Sequence, residues 1–69
     1  MSVGTNIRRI RERQGMQQAE LARGAGITQS FLCQVERETK NPSLQIAREL
    51  ARVLRCRMED FLDEEGEEA

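Results

Sequence analysis

Residues 18–37 read QAELARGAGITQSFLCQVER, and the spacing of small and apolar side chains in this stretch decides the fold. Leu21, Ala22 and Ala25 mark one inward stripe, and Ile27, Leu32 and Val35 mark a second. A single glycine, Gly26, separates them. Two short helices crossing over a tight turn account for this pattern. Gly26 supplies the positive φ that ends the first helix. Thr28 has the short side-chain oxygen that caps the second, and Ala22 leaves room for the two to cross closely. Between the apolar positions lie Gln29, Ser30 and Gln34. Taken alone these are a solvated helix face; on the second helix of such a pair they are placed to hydrogen-bond base edges.

Outside this stretch the pattern stays helical. Ile7 and Ile10 face inward on a first helix over about residues 3–14, with Arg8, Arg9 and Arg13 outward. Ser2 or Thr5 caps its start, and Gly15 stops it. The central helices are expected at 18–25 and 29–37. A loop, Glu38-Thr39-Lys40-Asn41-Pro42, follows, since proline disfavours helix at the residue before it. Ser43 caps a fourth helix over about 44–55, with Leu44, Ala47, Leu50, Ala51 and Leu54 inward. Met58, Phe61 and Leu62 form a short fifth helix. The expected fold is all-α: a five-helix domain over residues 1–62, followed by an acidic tail at 63–69.

Composition narrows the function. Sixty-nine residues make one small domain. The chain has no histidine, so the usual acid–base residue at neutral pH is missing. No nucleophile–base pair is visible, and an enzyme is not expected: no catalytic residue, no cofactor. Cys33 and Cys56 form no CxxC pair, which argues against a metal site or a disulfide framework. Cys33 reads as a space-filling residue or, alternatively, a redox-sensitive thiol beside the outward face. No segment has the apolar length of a signal or a membrane span, which points to the cytoplasm. The net charge of −1 conceals segregation. Residues 1–58 hold all 11 basic side chains and five acids, whereas residues 59–69 hold seven acids and no base. The body is basic enough to meet nucleic acid. The tail is either a solvated end, a competitor for the basic face, or a site for a basic partner.

These pieces together resemble the Cro/repressor-type, lambda-repressor-like helix-turn-helix family. The likeness is carried by IRRIRERQG, QAELARGAGIT, VERETKNPS, LARVL and MEDFL, over about residues 4–62. It implies a compact DNA-binding domain. Gln29, Ser30, Phe31 and Gln34 then occupy base-facing positions of the recognition helix. Phe31 has two readings, against a thymine methyl or folded back between the central helices. Gln18, Thr28, Thr39, Lys40 and Asn41 correspond to positions on the sugar-phosphate backbone. Arg11 and Glu36 correspond to a buried ion pair, and Met58, Phe61 and Leu62 to a dimer contact. The chain departs from the pattern at Gln17, where a capping Ser or Thr is usual, and at Glu38 and Arg55, where glycines are frequent. It departs again at Arg57, in place of the usual cap of the last helix. Glu38, an acid beside the DNA, is expected to repel phosphate.

The chemistry supports these roles. A helix fits the major groove, where each base pair shows a distinct donor–acceptor pattern. One glutamine amide can grip adenine N6 and N7 together. Lys40, Arg8, Arg9 or Arg13 can position the protein on phosphates without reading sequence. The expected function is a DNA-binding transcriptional regulator, a repressor acting as a homodimer on a palindromic operator. The alternative is an antitoxin or partner-controlled interaction module on the same fold.

Overall fold

The first helix, α1 (Val3–Arg13), leads into α2 (Gln18–Ala25), α3 (Gln29–Glu36) and α4 (Leu44–Leu54), and a 3₁₀ turn (Met58–Phe61) is the last element among the described residues. This is a computed structural model, and it describes residues 3–62. The proposed acidic tail, 63–69, and the candidate cap Ser2 lie outside the described residues.

The turn between α2 and α3 follows from local chemistry. Gly26 sits at φ 77° and ends α2, and the Ile27 N–H closes back on the Ala22 carbonyl at 3.0 Å. Thr28 Oγ1 then accepts from the Phe31 N–H at 3.0 Å, capping α3. Gln17 makes no side-chain cap at the start of α2. Ser43 Oγ caps α4 by accepting from Ile46 N–H. At the end of α4, Arg55 takes the left-handed conformation, φ 58°, and the Cys56 N–H reaches the Ala51 carbonyl at 3.0 Å. An arginine thus performs the termination usually left to glycine. Asp60 accepts from the Arg57 N–H at 3.0 Å and so caps the 3₁₀ turn from within.

α2 lies centrally, packed on α3 and α4, and α1 closes the other side of α3. The core is Ile7, Leu21, Ala22, Ala25, Leu32, Val35, Leu50, Ala51, Leu54 and Phe61. Gly4 permits the closest approach: a Cβ there would run into the Val35 carbonyl oxygen.

Several expectations are corrected. Thr5 lies inside α1 and is not its N-cap. α3 ends one residue earlier than expected, and the fifth helix is a single 3₁₀ turn. Leu44 is 70% exposed rather than inward, because the first turn of α4 runs past the edge of the core. Phe61, expected at a dimer contact, is 1% exposed. Its ring fills the core under α1 and α4, and the Asn6 side chain donates to its carbonyl oxygen at 2.7 Å.

Candidate nucleic-acid interface

Gln29, Ser30 and Gln34 are all exposed along one side of α3. Phe31 is half-buried and packs against the core. Beneath this face a chain of polar contacts runs into the interior. Arg11 and Glu36 meet side-on, Nε to Oε2 at 2.7 Å and Nη2 to Oε1 at 2.9 Å. Both are buried, so the charges neutralise each other and need their hydrogen bonds. Arg11 Nη1 also donates to the Met16 carbonyl. The Glu36 bond holds the guanidinium above its ordinary pKa against the opposing effect of burial.

Gln18 extends the chain outward. Its Nε2 donates to Glu36 Oε1 at 3.0 Å, and its Oε1 accepts from Gln29 Nε2 at 3.4 Å. The Gln18 amide therefore faces inward and across rather than to solvent. Its backbone N–H, at the start of α2, has no acceptor within the helix. Thr28 Oγ1 serves the α3 cap, and its own proton remains a donor.

The loop after α3 is fastened at its start. Thr39 donates to the Gln34 carbonyl through both its N–H and its hydroxyl, at 3.0 and 3.1 Å, and the Lys40 N–H reaches the same oxygen at 3.3 Å. Thr39 thus spends its donors on α3, while the Lys40 and Asn41 side chains are exposed. Glu38 takes a left-handed φ of 68° and turns its carboxylate onto α1. There Oε2 accepts from the Thr5 N–H at 3.0 Å and the Thr5 hydroxyl at 2.6 Å. This contact was not legible in the sequence, although an acid in place of a frequent glycine was its available signal.

Bordering the Asn41–Pro42 end of this loop lies an apolar groove of about 400 Å³, lined also by Val3, Leu44, Ala47, Met58, Phe61 and Leu62. Leu44 and Leu62 are its exposed apolar walls. Cys33 and Cys56 are free thiols, both half-buried; burial, reinforced by Asp60, pushes the Cys56 thiol up. Among the described residues no cluster of metal-ligating side chains is present, and no helix is long and apolar enough to cross a membrane.

Residues 7–61 match the helix-turn-helix family. The chain belongs to that family. It is 39% identical over 64 residues to an uncharacterized HTH-type transcriptional regulator of Archaeoglobus fulgidus, covering 93% of this chain and 91% of the relative. It is 35% identical to the HTH-type transcriptional regulator SinR of Bacillus subtilis, covering 94% of this chain and 60% of SinR. The crystal structure of SinR, the master regulator for biofilm formation, in complex with DNA superimposes with a TM-score of 0.82 at 34% identity, over 88% of this chain and 98% of that one. Helix-turn-helix regulators of this kind act by binding, so the family reading agrees with the absence of catalytic chemistry in the sequence.

Proposed function

We propose that this protein is a cytoplasmic, sequence-specific DNA-binding transcriptional regulator, a repressor that binds a palindromic operator as a homodimer. Residues 1–62 form the DNA-binding unit and 63–69 an acidic appendage. One arrangement carries this reading. Gln29 is exposed on α3 and held by Gln18, which is itself held by Glu36 and Arg11. Such a chain of bonds reduces the freedom of the amide before it meets a base.

In the proposed complex α3 enters the major groove. Gln29, Ser30 and Gln34 face bases, while Phe31 supports the helix from behind with its exposed edge toward the groove. The α2 N-terminus at Gln18, the Thr28 hydroxyl, and Lys40 with Asn41 lie along the phosphates; Thr39 shapes their loop. The groove walled by Leu44, Met58 and Leu62 joins two copies, with Phe61 as its buried floor. Two recognition helices then enter grooves about 34–36 Å apart.

The test is selection of bound duplexes from a random pool, with purified protein. A recovered motif of two inverted half-sites, about 10 base pairs between centres, is the expected result. A pool that stays random through successive rounds rejects sequence-specific binding.

A further inference from the structure

We propose that Glu38 is a positioning residue for phosphate recognition: its carboxylate clasps the N-terminus of α1 and thereby fixes where Lys40 and Asn41 meet the DNA backbone. The proposal rests on the DNA-binding reading above. An acid next to a phosphate-facing loop should be a liability, since unscreened like charges repel within the ~8 Å Debye length at physiological salt. Here the carboxylate is turned away from the loop's outer side. It accepts two hydrogen bonds from Thr5, the third residue of α1. The N–H of that residue is one of the donors a helix leaves unsatisfied, and the positive end of the helix dipole favours an anion there.

The backbone makes this contact at a cost. Glu38 adopts φ 68°, a conformation that a residue with a Cβ takes only when its surroundings over-determine it. The side chain thereby reaches 33 residues back along the sequence. The consequence falls on its neighbours. Lys40 is two residues on, and consecutive Cα atoms are about 3.8 Å apart. Thr39 between them is tied through its amide and hydroxyl to the Gln34 carbonyl at the end of α3. The loop is therefore pinned to α1 through Glu38 and to α3 through Thr39. Lys40, whose N–H also reaches the Gln34 carbonyl, projects from this pinned start of the loop, and Asn41 follows it. A phosphate contact from such a segment costs less ordering on binding than one from a loose loop.

The decisive variant is Glu38→Gly, because glycine accepts the left-handed φ and removes the acid together. If the acid were only a repulsive neighbour, its loss would tighten binding. The clasp predicts the opposite. Affinity for every duplex should fall about 3- to 10-fold, the scale of one or two net hydrogen bonds. The salt slope should become shallower by about 0.9, one phosphate contact. The ratio of affinities between operator variants should stay unchanged, since the base-facing residues are untouched. Glu38→Gln, which keeps an acceptor for Thr5, should recover most of the affinity, and Thr5→Val should lose part of it from outside the DNA surface. If Glu38→Gly loses its cooperative melt, these two variants carry the test. Amide exchange of Thr5 in the DNA-free protein should accelerate in Glu38→Gly. Tighter or equal binding by a folded Glu38→Gly, or an unshifted salt slope, overturns the proposal and leaves the DNA-binding reading intact. A wild-type protein that binds no duplex overturns both.

Discussion

Arg11 and Glu36 form a buried ion pair beneath the exposed side of α3. Breaking one partner leaves a buried uncompensated charge, which costs about 3–5 kcal/mol, close to the whole stability of a small domain. Arg11→Met should therefore collapse the melting transition, while Arg11→Met with Glu36→Leu should recover much of it, since an apolar pair of similar volume is often neutral. Calorimetry on the two variants decides: a single variant that melts within a degree of wild type would place the pair outside the interior. Arg55 presents the reverse case. It holds φ 58° at the end of α4, and its side chain makes no hydrogen bond or ion pair among the described residues. Arg55→Gly should raise stability by about 0.5–1 kcal/mol in urea unfolding. Glu38 has a similar φ, but the same change there removes two hydrogen bonds, so no gain is expected. Of these residues, the ion pair was legible through the family resemblance and Arg55 through its departure from it. The Glu38 contact was not, because it joins residues 33 apart and no local pattern encodes a side chain reaching across the fold.

The helices differ in how far their own sequences specify them. The α2–turn–α3 unit was readable because each device in it is local: a glycine with positive φ at 26, a capping hydroxyl at 28, small residues where the helices cross. α4 was readable in extent but not fully in facing. Its apolar positions extend past the core at the N-terminal end, so Leu44 points outward while Ile46 packs inward. Four residues, Met58–Phe61, are too few for a helical repeat, and a 3₁₀ turn cannot be told from a short helix by period. Gly4 also gave no local signal; its small size matters only because α3 lies against it. Gly4→Ala should accordingly destabilise by about 1–3 kcal/mol, the usual range for overpacking, despite alanine's higher helix propensity. A thermal melt that rises instead of falling would show that α1 and α3 can separate at no cost. At α2, Gln17 has the extended φ and ψ of a cap without its hydrogen bond. Gln17→Ser should add up to about 1 kcal/mol, read from the urea midpoint.

At the scale of the molecule, the two faces divide the work. The α3 face is polar, exposed and braced by buried charge, whereas the groove between α4 and the 3₁₀ turn is apolar and walled by two exposed leucines. A domain of this length buries a limited share of its surface, and the proposed contact between copies would cover these two leucines. The burial of Phe61 separates two effects that a dimer surface usually mixes. Phe61→Ala should act within one copy, costing about 3–5 kcal/mol of folding stability and lowering the melting temperature at every protein concentration. Leu44→Glu and Leu62→Glu touch little of the core and should leave the monomer's melt nearly unchanged. They should instead shift sedimentation toward the monomer and remove cooperativity between half-sites, so that a full operator is bound no more tightly than an isolated half. If both leucine variants still occupy the full operator as dimers, this groove is not where the copies meet. If sedimentation shows a monomer in the wild type with and without operator, a second copy is excluded and the groove is left for a different protein partner.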